Sequence, residues 1–404
     1  MSPLTRRTLL KSAGASALVA ATGRMSGTAV ATDGQTPRLQ WEPVGTAPIA
    51  TIASSNPHEA ELMFPTLLPL RALSGRSTDP AWMLWAWHHD TLTTPHLHAW
   101  TAANVEGTYT KLPDIARPAG DYALDAAGHA YSFGHFSSGD VVWDPDGQRL
   151  ISTPHSVSKY KPPQLAEVPQ DSFIMESVDG VNWQWLDNDP SARLTCGGVT
   201  DPDSNHTGYG RLLRDLDGRL RKVDGQYWWV HRGGHHASTG ADSEISYCTP
   251  MLASAASIGG PWTKRGKAFD TLWENTTLLG FDAFVLANDT PGIFYTVGSP
   301  EYAPLQVMYT QAAAANEMTF STPGVPIALP SVPRQTLPSV PGQAFGGGGN
   351  VVRHPGTSQQ YLVQIINNTK YGADTGGATP AAVATVTSSD VWLYKAVIAA
   401  APQP

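Results

Sequence analysis

The 404-residue sequence predicts an all-β propeller on three observations. Beyond residue 31 no segment keeps apolar residues at i, i+3, i+4 and i+7 for four turns, so long amphipathic helices are not expected. Glycine and proline are abundant, at 38 and 33 residues, while charged residues make up only 15% of the chain, a turn-rich composition. Short apolar or alternating runs are punctuated by Gly, Pro, Asp and Asn clusters, as strands joined by tight turns would be.

In chain order the strand-like runs include Ala81–Trp87, Val141–Trp143, Tyr227–Val230, Gly292–Val297 and Tyr361–Ile366. A degenerate repeat runs through them, in which a small or acidic turn precedes an aromatic residue. Its copies are Glu106-Gly107-Thr108-Tyr109, Asp179-Gly180 leading to Trp183, and Gly259-Gly260-Pro261-Trp262, with Asn316-Glu317-Met318-Thr319-Phe320 as a looser fourth. Each of the first three follows a strand with small polar residues, at His98–Ala103, Phe173–Val178 and Pro250–Ala256, the pattern of a blade's outer hairpin. Ser177-Val178-Asp179-Gly180 with Trp183 also resembles the Asp-box turn of sialidase-like propellers. Seven blades of roughly fifty residues are expected, with five blades and long insertions as the alternative. The Pro- and Gly-rich stretch Pro323–Gly349 reads as loops over one face, so a single domain is expected over 32–404.

Before that domain lies Thr5-Arg6-Arg7-Thr8-Leu9-Leu10-Lys11, then an Ala- and Ser-rich run and Ala29-Val30-Ala31. This order reads as a twin-arginine export signal over 1–31, cleaved after Ala31, and places the mature chain in the periplasm or outside the cell. No other apolar run approaches the ~20 residues needed to span a bilayer, so no membrane association is expected. The formal net charge of -8 argues against nucleic acid as a partner, although a local Arg/His pocket can still take a polyanion. Most of the thirteen Trp and thirteen Tyr are expected to pack between blades, with some left for stacking on sugars. An oxidising destination permits a disulfide between Cys196 and Cys248, with two buried thiols or a thiol metal ligand as alternatives.

Two histidines carry the best clue to chemistry. His135, in Gly134–Asp140, and His155, after Leu150–Pro154, sit on successive strands joined through the turn Asp144-Pro145-Asp146-Gly147. Imidazoles beside a tyrosine and an arginine suit proton abstraction next to a carboxylate. The tyrosine and arginine come from His206-Thr207-Gly208-Tyr209-Gly210-Arg211 and from Gln226–Arg232, so Tyr209 and Arg232 flank one hairpin and can reach one end of the channel. Trp82–Asp90 reads as an inner strand ending in His88, His89 and Asp90. His231, His235, His236 and Cys248 form the only grouping with zinc-type donors, though the spacing matches no strong zinc motif.

The order of these segments resembles polysaccharide lyases of the seven-bladed propeller type, nearest the rhamnose–glucuronate lyases and more distantly the ulvan lyases. The likeness covers Glu59 to Gly234. It implies β-elimination at O4 of a uronic acid, with His135, His155, Tyr209 and Arg232 as the catalytic set. His135 or His155 would be the base, Tyr209 the acid and Arg232 the clamp on the carboxylate. His89, His88, Trp87 and Arg211 would line the substrate pocket, Arg211 being also a rival for the clamp. The implied partner is an acidic polysaccharide met by a monomer. No cofactor is required, while a structural calcium or zinc stays open. Two other functions compete: a propeller glycoside hydrolase, which needs convergent carboxylates among Asp90, Asp140, Glu176, Glu244 and Asp282, and a non-catalytic carbohydrate-binding propeller.

Overall fold

In a computed structural model, the described residues are 40–54, 60, 62–88, 97–118, 131–158, 168–236, 246–269, 277–286, 289–298, 306–320, 325–327, 329, 349–371 and 384–397. Their strands, in chain order, are β1 (Trp41–Pro43), β2 (Ala50–Ala53), β3 (Leu62–Leu68), β4 (Trp82–His88), β5 (Leu97–Ala102), β6 (Thr110–Lys111), β7 (Tyr131–Ser137), β8 (Val141–Asp144), β9 (Arg149–Ser152), β10 (His155–Ser158), β11 (Gln170–Ser172), β12 (Met175–Ser177) and β13 (Gln184–Trp185). There follow β14 (Arg211–Leu212), β15 (Arg214–Asp215), β16 (Lys222–Val223), β17 (Gln226–His236), β18 (Ser246–Ala255), β19 (Thr263–Lys267), β20 (Thr277–Val285), β21 (Pro291–Gly298), β22 (Gln306–Gln311), β23 (Val325–Pro326), β24 (Gly349–Arg353), β25 (Gln360–Tyr371) and β26 (Ala384–Ala396). The one described α-helix longer than a turn, Leu70–Ser74, ends where Gly75 adopts a left-handed φ of 70°.

Five sheets form the blades: β3-β4-β5-β6, β8-β9-β12-β13, β14-β17-β18-β19, β20-β21-β22-β23 and β24-β25-β26-β1. The fold is the expected propeller. Among the described residues the strands group into five blades rather than seven, as in the alternative with long insertions. The core says the same, because the buried apolar residues fall into five clusters, one for each seam between neighbouring blades. Met83, Trp85 and Trp87 meet Val141, Trp143 and Leu150 at the first seam. Val142, Ile151 and Ile174 meet Leu212, Trp229 and Ala253 at the second. The remaining three clusters join the third blade to the fourth, the fourth to the fifth, and the fifth back to the first. Period-2 alternation explains the split, since successive residues of one strand face opposite seams. The ring closes through the N-terminal strands, β1 pairing with β26 at Trp41↔Ala396 and β2 at Ala50↔Val391.

The repeated turn marks fall at the expected places. Gly107 lies between β5 and β6, Asp179-Gly180 between β12 and β13, and Gly259-Gly260 between β18 and β19, each an outer hairpin. In the second of these, the Asp179 carboxylate accepts the amides of Val181 (2.9 Å) and Asn182 (2.8 Å), and Ser177 Oγ accepts that of Gly180 (2.9 Å). Gly180, at φ 78°, then offers its carbonyl to the indoles of both Trp183 (3.1 Å) and Trp85 (2.9 Å), pinning this turn to the first blade. Trp82–His88 departs from expectation: it is the second strand of its blade, and the fully buried β3 is the inner one.

The inner strands β3, β8, β14, β20 and β24 converge on the axis. Their N-terminal ends define a leading face, where the second strands finish and the third strands begin. A small extra sheet, β11-β10-β7, grows from the second blade at this face, because β9 continues through Pro154 into β10.

Candidate functional site

The strap His206–Gly210 crosses the leading face between this extra sheet and the third blade. Its backbone is held from both sides: Asn205 N–H donates to Gly234 O (3.1 Å), Gln170 N–H to Asn205 O (2.9 Å), Thr207 N–H to Gln170 O (2.9 Å) and Arg232 N–H to Gly208 O (3.0 Å). Two glycines make the close approaches. A Cβ on Gly208 would lie 2.5 Å from His155 Cγ and 2.8 Å from His206 Cε1, and one on Gly210 would overlap the Trp229 indole. Between them Tyr209 takes a left-handed φ of 58°, a conformation that costs a tyrosine on the order of 1 kcal/mol.

Around the Tyr209 ring three chain segments meet. His155 lies 5.2 Å from Tyr209 between ring centroids and His206 lies 4.6 Å from it, both edge-on, while the two imidazoles are 5.3 Å apart. The Arg232 guanidinium sits 5.0 Å above the Tyr209 ring, and Phe64 of the first blade packs at 4.9 Å. His155 is fully buried and Tyr209 nearly so, whereas Arg232 is partly exposed. The arginine is thus the member that can meet a solute first, and the imidazoles stand behind the phenol. Register explains the meeting of Tyr209 and Arg232: Arg211 pairs with Val230, so positions 209 and 232 fall opposite each other.

One layer below lies a band of buried charge. Arg211 Nη1 donates to Asp140 Oδ1 (2.8 Å) and to Thr66 Oγ1 (3.2 Å). Arg214 Nη2 bonds both oxygens of Asp282 (2.8 Å each) and the carbonyl of Val351 (2.6 Å), while Val351 N–H returns to Asp282 Oδ2 (2.6 Å). Leu67 N–H donates to Asn350 Oδ1 (3.0 Å). Five inner strands are therefore stitched by Thr66, Asp140, Arg211, Arg214, Asp282 and Asn350. Burial pushes the Asp282 carboxyl up, with Arg214 opposing. Arg211, expected to line the substrate pocket, is buried here against Asp140, and of the carboxylates considered for hydrolysis Asp140 and Asp282 both belong to this band. Glu176 sits far away on β12, bonded to Arg149 and Gln184. Asp90 and Glu244 lie outside the described residues.

Other predicted residues divide similarly. His88 and Trp87 are buried, His88 edge-on to His98 at 4.4 Å and Trp87 against Phe136 at 5.8 Å. His135 belongs to β7, in a stretch set off by a register shift against β10, and its side chain lies outside the described residues, as do His89 and the side chains of His235, His236 and Cys248. No group of three metal-ligating side chains occurs among the described residues. Cys196 is a free thiol, and the side chain of Cys248, its expected alternative partner, lies outside the described residues. The Cys196 Sγ donates to Gln170 O at 3.5 Å, and burial raises the thiol well above its usual range. His206 joins the cluster although it was not among the expected site residues; the available signal was an imidazole three residues before Tyr209. A cavity of about 290 Å³ at the opposite face is lined by charges already paired with each other, Arg353 with Asp217 and Arg221 with Asp289.

Two more imidazoles near the leading face are buried and neutral. His98, bonded to Asp114 at 2.7 Å, and His231 are each pushed down to about 4, chiefly by burial. Because the unfolded chain binds these protons near pH 6.5 and the folded chain does not, their contribution is present above that pH and lost as pH falls toward 4, on the order of 2–3 kcal/mol for each. Denaturant melts from pH 7 to 4 are expected to show falling stability, and His231→Gln should flatten the curve. A variant curve with the wild-type slope would remove His231 from this account.

No known protein family matches the chain, and no curated protein matches it in sequence. Solved structures do match in fold. A structure of BT0996 in a complex with RGII shares 11% identity, covering 90% of this chain and 93% of its own, with a TM-score of 0.56. One described as a glycoside hydrolase gives 11%, 90% and 92%, and 0.55. A third, from work on GH130 enzymes whose glycoside hydrolases target β-1,2-mannosidic linkages in Candida mannan, gives 11%, 89% and 94%, and 0.52. At this identity the likeness is one of fold. The latter two are carbohydrate-active enzymes of hydrolase type, and the expected kinship with polysaccharide lyases, with its β-elimination at a uronic acid, is corrected on that ground.

Proposed function

We propose that the chain is a glycoside hydrolase that cleaves an acidic polysaccharide at the leading face of the propeller. The observation that carries this reading is the convergence of His155, Tyr209 and Arg232 from three segments beside the axis. Arg232, partly exposed above the Tyr209 ring, is the anchor for an anionic sugar, since a guanidinium binds a carboxylate or sulfate through paired N–H donors. In the reaction a water oxygen bonds to the anomeric carbon as the bond to the leaving oxygen breaks. One proton leaves that water and one reaches the departing oxygen. The Tyr209 phenol, backed by the His155 imidazole, carries one of these transfers. Carboxylate pairs are the commoner device for this chemistry, and tyrosine-based sites are a recognised departure from it. The reading requires no cofactor, and the twin-arginine pattern read over 1–31 supports a reaction outside the cytoplasm.

The test is to incubate the purified mature chain with a panel of uronate-containing and sulfated polysaccharides, following reducing ends and ultraviolet absorbance together. New reducing ends without an absorbing product are expected, with His155→Ala and Tyr209→Phe slowed by about 10²–10⁴-fold. An unsaturated, absorbing product would overturn the reading, as would binding without turnover across the panel.

A further inference from the structure

We propose that His206 is a positioning residue of this site, a second imidazole that fixes the Tyr209 and His155 rings and holds its own proton toward them. The inference rests on the reading of the Tyr209 cluster as the catalytic site. Gly208 N–H donates to His206 Nδ1 at 2.9 Å, so that nitrogen is the acceptor and the neutral ring carries its proton on Nε2. The tautomer is therefore set by the backbone of the same strap that presents Tyr209. From this anchored position the ring reaches Tyr209 at 4.6 Å and His155 at 5.3 Å.

Packing alone does not explain the choice of residue. The pocket is nearly closed, with His206 at 4% exposure and His155 at 0%, and an apolar ring there would avoid burying polar atoms. Placing two imidazoles against one phenol, beneath a guanidinium, instead concentrates proton-transferring groups in a place where each modifies the others. The strap is also rigid enough to hold a geometry. Backbone bridges tie residue 206 to Gln170 of the extra sheet and to Gly234 of the third blade, and Thr207 Oγ1 donates to Leu194 O at 2.9 Å. His206 thus moves with both elements that frame the cluster, and it acts through Tyr209 and His155 without itself being required to touch substrate.

Two variants separate this role from a merely structural one. His206→Asn keeps an acceptor where Nδ1 accepts from Gly208 but removes the distal half of the ring, and His206→Gln restores a donor near Nε2. In the full mature chain, His206→Asn is expected to melt within about 2 °C of wild type, to lose roughly 10–100-fold in kcat with KM little changed, and to displace a limb of the pH–rate profile. His206→Gln should recover part of that loss. Wild-type kcat and pH profile in His206→Asn would overturn the proposal. A second readout stands without turnover: nitrogen-15 NMR of the imidazoles should show His206 protonated at Nε2 near neutral pH and a His155 titration that shifts in His206→Asn. An Nδ1-protonated His206, or a His155 titration unmoved by the substitution, would overturn the proposal even if the chain proved not to be a hydrolase.

Discussion

Asp282→Ala is expected to cost about 3–5 kcal/mol of stability and to lower Tm by about 4–7 °C. The reason is what it leaves behind. Arg214 is fully buried and spends Nη2 on both oxygens of Asp282 and on Val351 O. Without the carboxylate its charge stays in the axis, and Val351 N–H loses its acceptor as well. Removing both charges is a different experiment. Arg214→Met with Asp282→Leu trades a pair that is costly to desolvate for apolar contacts, so the double variant should recover much of the single variant's loss. Chemical denaturation of the three variants measures this directly. A loss below about 1 kcal/mol for Asp282→Ala would mean that the axial band is not what holds the inner strands together.

The propeller was legible because its signal is distributed. Three of the outer hairpins carry their own glycine and aromatic mark, and these, at Gly107, Gly180 and Gly259, fall on three consecutive blades. Blade number was not legible, because the extra sheet of β7, β10 and β11 and the segment 186–210 stretch the second blade's share of the chain well past the fifty residues assumed for each. The same irregularity explains Trp82–His88. Its apolar run reads as an inner strand, yet β3 is buried on both faces and reads apolar too, and periodicity cannot rank two such strands by distance from the axis.

Within the site, proximity was partly legible and chemistry was not. Tyr209 and Arg232 could be paired on paper because one hairpin carries both, and the register of β14 on β17 sets them face to face. Arg211, only two residues from Tyr209, points into a different layer, a distinction that depends on the inward turn of the inner strand and on Asp140 waiting in the neighbouring blade. The role of His206 is not legible in the sequence, because nothing in its own neighbourhood says that Gly208 leaves room for its ring beside that of His155. The reaction itself is a further step. Imidazole, phenol and guanidinium can serve elimination or hydrolysis alike, so the residue types suggest the first, while two solved structures that share the fold are described as glycoside hydrolases.

Gly208→Ala should therefore separate assembly of the cluster from stability of the fold. A Cβ at this position would lie 2.5 Å from His155 Cγ and 2.8 Å from both His155 Nδ1 and His206 Cε1, closer than any carbon tolerates. The strap cannot retreat, since Gly208 O accepts Arg232 N–H of the third blade and Thr207 N–H donates to Gln170 O of the extra sheet. The imidazoles must give way instead, by about 1 Å, which removes them from register with Tyr209. Crowding of this kind costs typically about 1–3 kcal/mol in stability, while a displacement of that size can cost about 10²-fold in rate. Gly198→Ala is the matched control, because its nearest neighbour would be Asp201 Oδ2 at 3.5 Å, an ordinary contact. Hydrolysis rates and melting curves for the two variants, taken side by side, are expected to show Gly208→Ala folded and about 100-fold slower, and Gly198→Ala unchanged. Equal rates in both would place the chemistry elsewhere on the leading face, because the His155, His206 and Tyr209 rings cannot all keep their places with a methyl group between them.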